Sequence, residues 1–182
     1  MARDSGKIAV GISVQAEFPC EWSPLASPPD AAVLRATAAH NERLLRVVTI
    51  LNESFPATGE FDAASNQELA RIDQKFNLLI ELVGELLVRQ SPVPADRQLE
   101  LSMFGAAWAA DTQSIELGSY GWLRLVLHTS YPKLLELPSQ VVSVDDAKVS
   151  IKFLDLGESV YGYLEKLLFR YHRRSVARHR QS

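Results

Sequence analysis

The residues best placed to do chemistry lie in the segment Glu100-Leu-Ser-Met-Phe-Gly105 and in the arginine-rich end of the chain. Glu100, Ser102 and Gly105 set a carboxylate, a hydroxyl and a flexible backbone point within six residues of one another. Ser and Gly in this order also build an ordinary entry to a strand, because both are common turn residues. Ser102 has no histidine base near it in sequence, so nothing activates it as a nucleophile. The chain has four histidines and none stands four residues from another beside an acid. With Cys20 as the single cysteine, neither a disulfide framework nor a cysteine-based zinc site can form within the chain. Asp145-Asp146 reads as a hairpin tip rather than a catalytic carboxylate pair. There is no glycine-rich phosphate loop. The expectation is therefore no enzyme, no metal and no cofactor.

From Arg170 to Arg180 the chain carries Arg170, Arg173, Arg174, Arg178 and Arg180, two histidines and no acid. Arginines in such numbers could hold phosphates and release counterions, with Tyr171 and the histidines stacking on bases. The net charge of −3 makes the remainder of the chain acidic. Basic residues also complement the dipole at a helix C-terminus. Nucleic-acid binding is therefore an alternative reading and not the main one. No apolar run approaches the ~20 residues that span a bilayer. The apolar Ile8 to Val14 reads as the start of a cytoplasmic strand rather than a signal peptide.

Three zones must position these residues: 1–26, 27–94 and 95–182. The first reads as extended, rich in β-branched and aromatic residues with Pro19 as an interruption, and could join a barrel across a long insertion. The second reads as two long helices. Ser27-Pro28-Pro29-Asp30 offers a serine cap with proline behind it, opening a helix to about Asn52. Ser65-Asn-Gln-Glu68 is a capping box for a second helix to about Gln90, stopped by Pro92 and Pro94.

Leu34, Thr37, Asn41, Leu44, Val48 and Leu51 on the first helix recur at spacings of three and four. Leu69, Ile72, Phe76, Leu79, Val83 and Leu86 do so on the second. Such spacing is that of a coiled-coil seam. Leu78, Ile80, Leu82 and Leu87 lie outside it, so the second helix offers more than one apolar stripe. An intramolecular hairpin of the two helices is the plain solution. The wider face favours a homo-oligomer, tetramer ahead of dimer, with Asn41 and Thr37 as polar seam positions that fix its register. Such a seam buries about 8–15 kcal/mol gross, much of it offset by ordering.

In the third zone, Tyr120 to Thr129 alternates leucines with Arg124 and His128. Leu134–Val144 and Ala147–Leu154 form a hairpin, and Tyr161–His179 has helical spacing. Four or five short strands and a closing helix point to a small barrel. The fold class is thus α+β: a small antiparallel β-barrel with a C-terminal helix, plus two long heptad-patterned helices.

The segment Glu100 to Gly105, the strand order and the basic-ended helix Phe169 to Arg180 together resemble the PilZ domain, a cyclic di-GMP receptor module. The resemblance covers Leu99 to Arg180 and extends to a strand at Glu17–Trp22. PilZ receptors carry the pattern D/N-x-S-x-x-G, whose short polar groups contact guanine or phosphate. Ser102 and Gly105 match it, and Glu100 stands in place of the Asp or Asn. The family's R-x-x-x-R clamp, which holds phosphates bidentately, has no counterpart before Glu100. Arg89 and Arg97 are too far apart, and Arg43 and Arg46 stand three apart on the first helix. PilZ proteins without the clamp act as adaptors in bacterial signalling and type IV pilus assembly or motility. The resemblance therefore implies a non-enzymatic adaptor, without cyclic di-GMP as ligand, that meets a signalling or pilus-assembly protein in type IV pilus, motility or virulence signalling. Its alternative is a cyclic di-GMP receptor completed by an arginine from elsewhere.

Overall fold

The computed structural model describes residues 12–52, 63–90, 92–110, 115–145 and 147–179. The elements run β1 (Ser13–Leu25), α1 (Ala31–Leu51), α2 (Ala63–Gln90), β2 (Asp96–Ser102), β3 (Gly105–Ala109), β4 (Tyr120–Val126), β5 (Leu134–Val144), β6 (Lys148–Phe153) and α3 (Glu158–His179). All strand pairs are antiparallel, and the six close into a barrel in the order β1-β2-β3-β6-β5-β4. The structure is α+β, with three helices around a six-stranded barrel.

β1 is long enough to serve two neighbours. Ser13–Pro19 pairs with β2, and Cys20–Leu25 pairs with β4. Pro19 stands at the changeover, where a residue that cannot donate to a ladder is tolerated. Alternate residues Val14, Phe18, Cys20 and Trp22 face the barrel interior and meet Leu99, Leu101, Trp108, Leu123, Leu125, Leu135 and Leu137. The segment read as extended from its β-branched and aromatic residues, and the structure adds the period-two alternation of a barrel wall.

The helices differ from the expected pattern in three respects. α1 is capped by Asp30, whose Oδ1 accepts from the Ala32 and Val33 backbone N–H groups at 2.8 Å, rather than by Ser27. α2 starts at Ala63, so Ser65 lies within the helix rather than capping it. Most consequentially, α1 packs on the barrel and α3, and among the described residues it makes no comparable contact with α2. Gly157 lies beside Ala38, and Arg170 donates to the Thr49 carbonyl at 3.4 Å, so α1 and α3 run parallel. Leu44, Leu45 and Val48 enter the same core as Val160, Leu164 and Leu168.

α1 is therefore part of the domain's core and not of a detachable insertion. Asn41, Leu44 and Val48, which the heptad spacing put on an oligomer seam, are taken up inside the protomer; Leu34 and Leu51 are partly covered. The physical reason is that a three-four stripe reports only that a face is buried, not against what. β5 gains β6 as a partner only from Ser139 onward, which leaves the edge of residues 134–138 for α1 to cover. Asn41 completes that edge. Its Nδ2 donates to the Glu136 carbonyl at 2.6 Å, and its Oδ1 accepts from the Glu136 N–H at 3.2 Å.

Candidate functional site

The segment Glu100 to Gly105 ends β2 and turns into β3. Ser102 is almost fully buried, and its hydroxyl is spent within the turn. The oxygen accepts from the Phe104 N–H at 3.2 Å and the Gly105 N–H at 3.1 Å, and the hydroxyl donates to the Gly105 carbonyl at 3.1 Å. One donor and two acceptor positions are all a serine hydroxyl has. Gly105 lies so close to β6 that a Cβ would run into the Ile151 carbonyl. The glycine thus serves sheet packing. Glu100 Oε2 is held by Lys148 Nζ at 2.6 Å, across β3. The three residues therefore sit together, but as the builders of a turn and a cross-strand ion pair.

The arginine nearest the turn on its N-terminal side is Arg97, on the same face of β2 as Leu99 and Leu101. Its guanidinium lies over the Trp108 ring, 5.9 Å from the centroid. Trp108 in turn meets Trp22 at 5.9 Å, so Arg97 closes one end of the barrel. Cys20 belongs to the same interior. Burial pushes its thiol upward, Arg97 counters part of this and Asp96 adds to it. Tyr161, whose hydroxyl donates to the Leu154 carbonyl at 3.3 Å, is also pushed upward, chiefly by burial. Asp145 is the expected hairpin tip: its Oδ1 accepts from the Ala147 and Lys148 N–H groups at 3.0 and 2.7 Å. Its neighbour Asp146 lies outside the described residues. Among the described residues, no group of His, Cys, Asp and Glu could hold a metal ion.

The basic end is divided. Arg170 is partly buried against α1, while Arg173 lies exposed over the Phe169 ring, 6.0 Å from its centroid. Tyr171 is committed, donating to the Leu127 carbonyl at 3.0 Å and meeting Phe18 edge-on at 5.5 Å. That removes it as a stacking platform for bases. Arg174 and Arg178 continue α3, and Arg180 lies outside the described residues.

The unspent surface is on α2. Leu69, Ile72, Phe76, Leu79, Val83 and Leu86 all lie open, from 42% exposed at Ile72 to 60% at Phe76. Leu78 and Leu82 widen the patch. At 1.5 Å per residue, the face from Leu69 to Leu86 runs for about 26 Å along the helix. Contiguous apolar surface on that scale marks an interaction site. Ile80 and Leu87 are half-covered and flank Gly84, the one buried residue among those of α2 whose burial is described. The apolar positions outside the seam thus separate into a side turned to the chain's own barrel and a side left open.

The family model of the atypical PilZ domain, described as a cyclic di-GMP receptor, matches residues 45–181. The chain belongs to this family. Its barrel, closing helix and turn are accordingly PilZ features, and the match takes in α2. A crystal structure of a pathogenic protein from Xanthomonas campestris, described as a tetrameric PilZ domain self-assembled via an unusual helical bundle, is similar over 93% of this chain and 92% of that one. The identity is 27% and the TM-score 0.67. The PilZ domain of CeSA from a cellulose-synthesizing bacterium is similar over 45% of this chain and 85% of that one, at 16% identity and a TM-score of 0.32. No curated protein matches the chain in sequence. No helix among the described residues is long and apolar enough to cross a membrane.

Proposed function

We propose that this PilZ protein is a non-enzymatic signalling adaptor that assembles as a tetramer through α2 and acts by protein–protein contact. The observation that carries the reading is the apolar stripe of Leu69, Ile72, Phe76, Leu79, Val83 and Leu86, which lies open among the described residues. The tetrameric assembly of the Xanthomonas campestris protein, similar over nearly the whole length of both chains, supports it. That protein's description as pathogenic favours a role in virulence signalling over pilus assembly or motility.

Cyclic di-GMP is not the ligand in this reading. A doubly anionic dinucleotide needs guanidinium anchors and free polar groups beside the turn. Ser102 has spent its hydroxyl within the turn, and Arg97 lies over Trp108. The alternative is a cyclic di-GMP receptor completed by an arginine from elsewhere, and the family's description as cyclic di-GMP receptors favours it. Two measurements on the full chain separate these readings. Sedimentation equilibrium gives a tetramer if α2 is the seam, and a monomer refutes the assembly. Calorimetric titration with cyclic di-GMP gives no heat if the adaptor reading holds, and saturable micromolar binding replaces it with the receptor reading.

A further inference from the structure

We infer that Gly84 is a positioning residue: it seats α2 on the Ser130 carbonyl and so sets the direction in which the apolar stripe is presented for assembly. The inference rests on the reading of α2 as the assembly helix. Glycine in a helix interior weakens that helix about fivefold relative to alanine. Gly84 lies well inside α2 and has no positive φ, so backbone conformation does not require it there. Close approach does. A Cβ at Gly84 would stand 2.6 Å from the Ser130 carbonyl oxygen and 3.2 Å from its carbon. Both are backbone atoms, which cannot swing aside as a long side chain would.

The seat is narrow. Ile80 and Leu87, one turn to either side, are partly exposed, and Gly84 alone among the described residues of α2 is buried. Beside the contact an open cleft of about 520 Å³ is lined by Glu81, Glu85, Val88 and Arg89 of α2 and by Thr129 and Ser130. The closest approach of α2 to this loop is thus at Gly84, against the Ser130 backbone with the Pro132 ring beside it. The loop that receives it is itself held: the Tyr171 hydroxyl on α3 grips the Leu127 carbonyl, and the Tyr131 N–H donates to the His128 carbonyl at 3.1 Å. A side chain at position 84 lifts α2 from this seat and turns the stripe away from the angle at which copies meet. Helix formation itself is not impaired.

The test compares Gly84→Ala and Gly84→Leu with wild type and with Phe76→Asp, all as full chains, by sedimentation velocity and far-UV circular dichroism. Both Gly84 variants are better helix formers, so helicity holds or rises. Association falls by about tenfold or more for Gly84→Leu and by less for Gly84→Ala. Wild-type association in both variants overturns the inference, provided Phe76→Asp dissociates the assembly. If Phe76→Asp leaves the mass unchanged as well, the reading of α2 as the seam has failed instead. Should Gly84→Leu not yield folded protein, Gly84→Ala decides alone, and association at or above wild type overturns the seat.

Discussion

Replacing Asn41 with leucine separates two accounts of the same residue that differ in sign. As a polar residue on an oligomer seam, Asn41 would cost stability, and leucine would strengthen the assembly and shift its stoichiometry. In the structure the residue is fully buried and supplies both hydrogen bonds that a neighbouring strand would give Glu136, at 2.6 and 3.2 Å. Leucine of similar size leaves the Glu136 N–H and carbonyl buried without partners on that side. Each such orphan costs about 1–3 kcal/mol, so the pair comes to about 2–5 kcal/mol once some relaxation is allowed. For a domain of this length, 1 kcal/mol moves Tm by about 2–4 °C. The expected change is a drop of about 5–15 °C. The assay is thermal unfolding followed by circular dichroism at one fixed protein concentration, because assembly links Tm to concentration. Sedimentation of the same samples below the transition should give the wild-type mass. A raised or unchanged Tm, or a new stoichiometry, would refute the edge-completing role.

Phe76→Asp with Val83→Asp should take the assembly toward protomers at unchanged barrel stability, because both side chains are at least half exposed; sedimentation equilibrium reads the mass. Ser102→Ala should cost about 1–2 kcal/mol of folding stability, since the turn loses its internal hydroxyl bonds. Urea unfolding measures it, and a neutral result would argue that the hydroxyl is free for a ligand. The Cys20 thiol, buried and pushed upward, should resist a disulfide reagent at pH 8 until the protein unfolds. The same shift has a definite sign: the folded state favours the protonated thiol, so its contribution is complete below the unfolded value of 9.0 and is lost as pH rises through the folded pKa. Denaturant midpoints that climb above pH 9 would contradict that direction.

Much of the architecture was legible as period. Alternation along 120–126, β-branched and aromatic composition along 13–25 and a hairpin around Asp145 for 134–144 and 148–153 marked the strands. The three-four spacing marked α1, α2 and α3, because a helix buries one stripe. Glu100, Ser102 and Gly105 were legible as neighbours, since a turn keeps residues that are close in sequence close in space. The commitments of Ser102 within its own turn and of Glu100 to Lys148 were not. The first depends on the turn's geometry, and the second on β6 lying two strands from β2.

The two heptad stripes make the division clearest. By itself the sequence determined that both long helices carry an apolar face, for their spacing is the same. Only the tertiary structure decided that Asn41, Leu44 and Val48 meet β5 and α3, while Leu69, Ile72, Phe76, Leu79, Val83 and Leu86 stay open among the described residues. The stripe's period records that water must be excluded from one side of a helix. Which surface excludes it depends on where the chain leaves an uncovered edge, and here that edge is the first half of β5, brought to α1 from across the barrel.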